Sequence, residues 1–316
     1  MAPARLRTAV VGVGNLGRHH ARIYHSLPQA DLAAVVDTDH ERAAEVAGRH
    51  GARALTGFRE LIGLVDAVSV AVPTSAHEQV ARPLLEAGIH TLVEKPVTRT
   101  LDEARSLIDL ASRNGLVLHV GHSERFNPAV QAVRPLVTRP RFIECERLSK
   151  FAPRSLDVDV VLDLMIHDLD IILSLVSQPL QSVDAVGVAA LTGQIDIASA
   201  RLRFEGGAAA NVTASRISMA PSRKLRIFQP HSYLSIDYAT SEVQHYALRL
   251  RPAGSPEISR QSVEVGKGEP LVLEIQAFLD AIAGGDDRGV SGEQGLLALK
   301  TGLRILSAIE ESREAA

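Results

Sequence analysis

Gly12-Val13-Gly14-Asn15-Leu16-Gly17 follows a run of β-branched apolar residues and opens an amphipathic stretch. Glycines at that spacing, between a strand and a helix, can cradle a pyrophosphate. Gly12 permits the tight turn, Gly14 lets the ligand approach the backbone, and Gly17 lets helix and strand pack closely. Asn15 and Leu16 lie in the turn that opens the helix, whose first N–H groups and partial positive charge favour an anion. Asp37, 20 residues beyond Gly17, ends the next apolar run. A carboxylate there can accept hydrogen bonds from the hydroxyls of an adenosine ribose and would repel a 2′-phosphate, so the pattern favours NAD over NADP. Arg42 is the nearest basic residue, too little to reverse that preference. The competing role for Asp37 is an ordinary helix cap.

Lysine is rare in this chain. Of 34 basic residues five are lysine, at positions 95, 150, 224, 267 and 300, so the other 29 are arginine. Lys95 stands just past Thr91–Val93, a short run of strand character, and ligands of open α/β sheets bind beyond the carboxyl ends of strands. Arginine could carry charge there but could not release a proton. Further on, Asp163 and His167 are four apart in a helical stretch, so their side chains share a face. Histidine titrates near neutrality and can take the proton of a hydroxyl. His167, Asp168 and Asp170 suggest a metal cluster, but Asp168 lies about 100° round the helix from His167 and no second histidine cluster supports it. No metal is expected. His19 and His20, beside the glycine turn, read as packing residues of the first helix.

These residues need a scaffold. Thr8–Val13, Leu32–Val36, Ala67–Val72, Thr91–Val93 and Val117–Val120 read as buried strands, and Leu16–Leu27, Asp39–His50, Ser75–Ala87 and Leu101–Asn114 as the helices between them. The last helix has Thr100 as N-cap with Glu103 three residues on, and Gly115 just past its end. That alternation predicts an α/β domain over residues 1–122, a doubly wound parallel sheet of the Rossmann type. Residues 123–316 change rhythm. A helix is predicted over Val158–Val176, then strands at Ser182–Ala190, Ala198–Phe204, Ala208–Ser215, Lys224–Gln229 and Tyr233–Asp237. Asp237–Lys267 reads as polar loop, and two helices, Leu271–Ala283 and Glu293–Glu311, close the chain. The expectation is a C-terminal α+β domain with a large, mainly antiparallel open sheet.

Four ordered motifs carry a family resemblance. Ala71-Val72-Pro73-Thr74-Ser75-Ala76-His77, Glu94-Lys95-Pro96, Gly121-His122-Ser123-Glu124-Arg125-Phe126-Asn127-Pro128 and Asp163-x-x-x-His167-Asp168 stand behind the glycine fingerprint. Together they resemble the Gfo/Idh/MocA oxidoreductases across nearly the whole chain. The resemblance implies that Lys95 and His167 are catalytic, with His167 as base, Lys95 assisting and Asp163 orienting substrate or histidine. It places Pro73, Thr74, His77, Glu94, Lys95 and Arg125 around the dinucleotide. One departure stands out: where the family often has a Gly-Gly pair before the D-x-x-x-H helix, Leu156-Asp157-Val158-Asp159-Val160 stands here. The stretch from Arg154 to Ile171 is similar to the subgroup that oxidises C3 of UDP-N-acetylglucosamine toward 2,3-diamino sugars of lipid A or surface polysaccharide. Arg216, Arg223, Lys224 and Arg226 would then meet the diphosphate, or would form a basic strand edge that discourages edge pairing. Other sugar or inositol dehydrogenases, an NAD-dependent glycosidase and a non-catalytic NAD-binding sensor share the same fingerprint.

Composition narrows the field. The chain has 316 residues, a net charge of −3, 3% aromatics and no tryptophan, which gives no reason to expect nucleic-acid or membrane-surface binding. No apolar run approaches the ~18 residues of a membrane span. One cysteine, Cys145, excludes a disulfide framework and a cysteine-based zinc site. Met1–Arg7 is too short for a signal peptide before the first strand, so the expected location is cytoplasmic. By resemblance the open sheet buries its face against another subunit, giving a homodimer or homotetramer.

Overall fold

The computed structural model describes residues 5–151, 158–250 and 256–314. The chain forms two compact units, one of residues up to Ser123 together with Glu269–Leu296, the other of Glu124–Gly268 and residues from Leu297 on.

In the first unit, strands and helices alternate: β1 (Leu6–Val11), α1 (Gly17–Ser26), β2 (Ala30–Val36), α2 (His40–His50), β3 (Arg53–Leu55), β4 (Ala67–Val70), α3 (His77–Glu86), β5 (His90–Glu94), α4 (Leu101–Arg113) and β6 (Leu118–Gly121). The strands form one parallel sheet in the order β3-β2-β1-β4-β5-β6. Both faces of such a sheet are covered, which is why its strands are rich in Val, Ala and Leu. One core holds Val11, Val36, Val68 and Val93 with Leu84 and Leu107 of α3 and α4. The other holds Val10, Val35 and Leu92 with Ile23 and Tyr24 of α1. α4 starts as its sequence predicts: Thr100 Oγ1 accepts from the Glu103 N–H, and the Glu103 carboxylate accepts from the Thr100 N–H at 3.1 Å.

The second unit opens with α5 (Pro128–Val133), β7 (Phe142–Leu148) and α6 (Ile166–Leu175). Seven strands follow: β8 (Leu180–Val188), β9 (Ile197–Phe204), β10 (Ala209–Ser215), β11 (Ser222–Gln229), β12 (Ser232–Asp237), β13 (Glu242–Leu250) and β14 (Pro256–Gln261). They form an eight-stranded sheet in the order β14-β13-β12-β11-β7-β10-β9-β8, antiparallel except for the pair β7–β10. The chain then adds α7 (Pro270–Ile282), which packs Ile275, Phe278 and Leu279 into the first unit's core, and α8 (Gly292–Glu314). One face of the eight-stranded sheet buries Ile143, Leu202, Val212, Leu225 and Leu234 against Leu169, Ile171 and Ile172 of α6. Among the described residues the other face is open, with Glu146, Asp184, Val186 and Arg226 exposed on it.

Beyond the short β3 and α5, neither of which the sequence reading places, three elements differ from it. The central strand β7, Phe-Ile-Glu-Cys-Glu-Arg-Leu, carries three charges in seven residues and was not expected. Glu144 and Glu146 take the open face, while Arg147 is buried by a partner carboxylate. The expected loop Asp237–Lys267 contains the hairpin β13–β14. Its apolar residues fall on both faces, so alternation gives no strand signal. The helix expected over Val158–Val176 begins instead with a π-helical turn, Val161–Met165, and becomes α-helical at Ile166.

Candidate active site

Because all six strands of the first sheet are parallel, their carboxyl ends deliver Gly12, Asp37, Ala71 and Glu94 to one edge. Gly12 has φ +83°, and a Cβ there would lie 2.8 Å from the Ala71 carbonyl oxygen. A Cβ on Gly17 would lie 1.8 Å from the Gly12 carbonyl oxygen, so α1 can cross the turn only without a side chain. Gly14 differs: nothing lies within 4 Å of where its Cβ would be. α1 opens at Leu16 with no side-chain cap, unlike α2, capped by Asp39, and α4, capped by Thr100. Open space over Gly14 beside the uncapped first turn of a helix fits a pyrophosphate. Asn15 is exposed and accepts from Arg18 Nη2 at 2.8 Å, and Leu16 is exposed beside it.

Asp37 is buried, and its carboxylate accepts from the Val13 N–H at 3.0 Å and the Asp39 N–H at 3.0 Å. The cap of α2 is Asp39, which accepts from the Arg42 N–H, so the capping alternative for Asp37 is gone. Arg42 Nη1 sits 3.2 and 3.3 Å from the two Asp37 oxygens. The carboxylate thus ties the glycine turn to the end of β2, and its backbone donors fix where it points.

Past β4, Pro73 is exposed and Thr74 half-buried in a turn of 3₁₀-helix leading to His77. His77 is 1% exposed and wedged among carbonyls: Nδ1 lies 3.0 Å from Pro96 O and 3.3 Å from Val97 O, and Nε2 lies 3.0 Å from Val72 O. Burial, the largest influence, pulls its pKa below the ordinary histidine value despite those acceptors and the nearby Glu94. Glu94 ends β5, buried, with Oε1 3.0 Å from His20 Nε2 and Oε2 accepting from the Lys95 N–H at 3.2 Å. Burial alone would raise its pKa; the His20 hydrogen bond and charge, with the Lys95 charge, more than offset this and hold it below the usual carboxylate range. Gly121 leaves room, since a Cβ there would lie 2.8 Å from the Glu94 carboxyl group. Lys95 is half-buried, and the Lys95–Pro96 peptide bond is cis.

In the second unit, Asp163 lies on the π-helical turn and His167 is the second residue of α6, both half-buried. A π turn holds more than four residues, so a spacing of four remains about one turn. The carboxylates flanking His167 are structural. Asp168 takes a fork from Arg147 of β7, with Nε–Oδ2 2.7 Å and Nη2–Oδ1 2.8 Å, and the guanidinium also lies over the Tyr238 ring. Asp170 takes a second fork, from Arg125, with Nε–Oδ2 2.9 Å. All four side chains are buried. Arg125, expected beside the dinucleotide, therefore gives its fork to α6. Among the described residues, no group of three or more His, Cys, Asp or Glu side chains is placed to hold a metal ion.

The four basic residues of the second unit separate. Arg216 is buried and donates to the Val158 carbonyl, next to Asp159, whose carboxylate accepts from the Ile195 N–H at 2.9 Å. Those contacts hold residues 158–160 of the stretch that replaces the Gly-Gly pair; its residues up to Asp157 lie outside the described residues. Arg223 shares the helix-bearing face with Leu225 and pairs in register with Arg147, both reaching Glu124 Oε1, at 3.8 and 3.5 Å. Lys224 and Arg226 point to the open face, opposite Asp237 and Glu144. The strand-edge reading fails, since β11 lies between β12 and β7.

Sequence reasoning gave His20 only a packing role and missed Arg147 altogether. His20 was findable: it lies on the buried stripe of α1 with Gly17, Ala21 and Tyr24, where a polar ring requires a partner.

Residues 6–122 match the Gfo/Idh/MocA oxidoreductase family, NAD-binding Rossmann fold, and residues 130–230 match the Gfo/Idh/MocA C-terminal domain. A UDP-N-acetylglucosamine 3-dehydrogenase from Acidithiobacillus ferrooxidans is 42% identical over 308 residues, covering 96% of this chain and 97% of that one. A solved structure of that enzyme superposes with a TM-score of 0.90, covering 97% of this chain and 98% of the other. The scyllo-inositol 2-dehydrogenase (NAD(+)) of Bacillus subtilis is 28% identical, over 95% of this chain and 92% of its own. No helix among the described residues is long and apolar enough to cross a membrane. By these two family matches and the 42% identity along nearly the whole chain, the chain belongs to the Gfo/Idh/MocA family of oxidoreductases.

Proposed function

We propose that the protein oxidises the C3 hydroxyl of UDP-N-acetylglucosamine to the 3-oxo sugar, using NAD. The observation that carries this reading is the 42% identity to the A. ferrooxidans 3-dehydrogenase along both chains. When bound, a nicotinamide dinucleotide supplies the two-electron acceptor. The chain's own residues do the rest. Gly12, Gly14 and Gly17, with the amides of Asn15 and Leu16, seat the pyrophosphate. Asp37, aimed by Val13 and Asp39, accepts from the ribose hydroxyls, which favours NAD over NADP even with Arg42 beside it. Pro73 and Thr74 flank the bound dinucleotide.

His167 takes the proton of the 3-hydroxyl, Lys95 polarises that oxygen or relays the proton, and Asp163 orients the sugar or the imidazole. The forks from Arg147 and Arg125 hold α6, and with it His167, to the second unit's scaffold. Of the four basic residues, Arg223 is our candidate for meeting the substrate diphosphate, supported by its half-exposed side chain on the sheet face that bears α6.

The open face of the large sheet carries a row of four rings, Phe142, Phe228, Tyr233 and Tyr246, with successive centroids 5.8, 4.9 and 6.1 Å apart. Val186 and Val188 are more than half exposed on the same face of β8. That surface suits a second copy of the chain, so the enzyme works as a homodimer or homotetramer, in the cytoplasm. Sedimentation of a stable monomer at assay concentration would refute the assembly. The activity is tested with purified protein, NAD and UDP-N-acetylglucosamine, with an aminotransferase drawing off the keto sugar. NADH and an amino sugar are expected; neither product forming would overturn the reading.

A further inference from the structure

Lys95 sits on the turn that follows β5, a strand lying between β4 and β6, so where its amine stands depends on how that turn is held. Two buried histidines hold it, one on each side. Before Lys95, His20 takes Glu94 Oε1 at 3.0 Å while Glu94 Oε2 accepts the N–H of Lys95, so one carboxylate joins α1 to the backbone of the turn. After Lys95, His77 faces the carbonyls of Pro96 and Val97 through Nδ1 and that of Val72 through Nε2. Nδ1 meets two acceptors and Nε2 one, which favours the proton on Nδ1. The ring then ties the Lys95 turn by hydrogen bond and props the loop after β4 by contact.

Both histidines ride on elements of the dinucleotide cradle. His20 is one turn into the helix that the glycine loop opens, and His77 follows the loop after β4. We infer that His20, through Glu94, and His77 are positioning residues that clamp the Lys95 turn between α1 and α3 and set where the lysine amine stands. This inference rests on the reading of Lys95 as a catalytic residue. It assigns the two histidines no contact with substrate. A misplaced lysine lowers turnover while leaving the sugar's binding groups in place.

The test uses His20→Ala, His20→Gln, His77→Ala, His77→Asn, His77→Gln and Lys95→Ala in the full chain. Glutamine carries a donor where Nε2 of His20 stands, and asparagine carries one where Nδ1 of His77 stands. Four quantities are read: kcat and KM for the sugar, the dinucleotide Kd by NADH fluorescence, and deuterium uptake of the peptide spanning residues 94–98 without ligand. His20→Ala and His77→Ala are each expected to lose about tenfold or more in kcat with sugar KM changed less than about threefold, and to exchange faster at 94–98. His20→Gln and His77→Asn recover most of both; His77→Gln, with its donor displaced toward Val72, does not. If the alanine variants fail to fold, the contrast between His77→Asn and His77→Gln decides. Equal kcat and equal exchange in those two, or alanine variants with unchanged 94–98 exchange, overturn the inference. Full activity in Lys95→Ala removes the reading of Lys95 instead, and the exchange data still report whether the histidines hold the turn.

Discussion

Gly14 and Gly17 are three residues apart, yet substitution by alanine has opposite consequences. At Gly17 the new methyl group would stand 1.8 Å from the Gly12 carbonyl oxygen and 3.3 Å from Val10 Cγ1, so backbone must move. Overpacking of that kind costs about 1–3 kcal/mol, and the protein without ligand should lose stability accordingly. At Gly14 the methyl group meets nothing within 4 Å, and the backbone is outside the left-handed region that favours glycine. Gly14→Ala therefore leaves the ligand-free protein unchanged or about 0.4–1 kcal/mol more stable, by restricting the unfolded chain. The space it fills is the space a pyrophosphate needs. A tenfold loss of dinucleotide affinity is about 1.4 kcal/mol. At an NAD concentration of about 100 times the wild-type Kd, ligand stabilisation then falls from roughly 2.7 to roughly 1.4 kcal/mol. At roughly 2–4 °C per kcal/mol, the NAD-induced rise in Tm shrinks by several degrees. Thermal unfolding with and without NAD reads both effects. A Gly14→Ala protein that binds NAD as wild type does, or a Gly17→Ala protein as stable as wild type, would refute the reasoning.

Three other outcomes are expected. Lys95→Arg keeps the charge but has no proton to give, so kcat should fall about 10²- to 10⁴-fold with dinucleotide Kd nearly unchanged, measured by steady-state kinetics and NADH titration. Asp168→Ala takes the fork from the buried Arg147 guanidinium and leaves it only the longer 3.5 Å contact to Glu124, and should cost about 3–5 kcal/mol in urea unfolding, whereas Arg147→Met with Asp168→Leu recovers most of that loss. Burial holds His77, His90 and His119 below the ordinary histidine value, so unfolding of the first unit releases groups that bind protons more readily. The stability they confer is complete above the unfolded-state pKa near 6.5 and is lost as pH falls through their lower folded values, at up to about 1.4 kcal/mol per pH unit for each fully buried ring. Tm measured between pH 7.5 and 5 should fall, and His77→Gln with His119→Gln should flatten the slope.

The first unit was legible, apart from the three-residue β3, because its other elements each obey one local rule. Parallel strands buried on both faces read as apolar runs, the helices between them carry caps such as Thr100 and Gly115, and the glycine turn is three residues whose missing side chains each have a distinct use. The second unit was harder. Strand β7 hides Arg147 in the core by pairing it with Asp168, which lies 21 positions away and cannot be seen by periodicity. Hairpin β13–β14 is held by its ladder of backbone bonds more than by burial, so its alternation is blurred. The π-helical turn before His167 leaves no composition signal. The same limit applies within the site: Asp37 is suggested by type and spacing, and Lys95 and His167 by the family motifs that contain them, but that Arg125 would fork Asp170, or that His20 would meet Glu94 across 74 positions, depends on the folded chain.

The most direct measurement follows a single hydrogen. UDP-N-acetylglucosamine carrying deuterium at C3 is incubated with the purified protein and NAD, and the nicotinamide is examined by mass spectrometry and NMR. The account predicts one deuterium at C4 of the reduced nicotinamide, with loss of the label from the sugar and no transfer by His167→Ala. Oxidation that leaves the C3 deuterium on the sugar, or no transfer to either NAD or NADP, would contradict it.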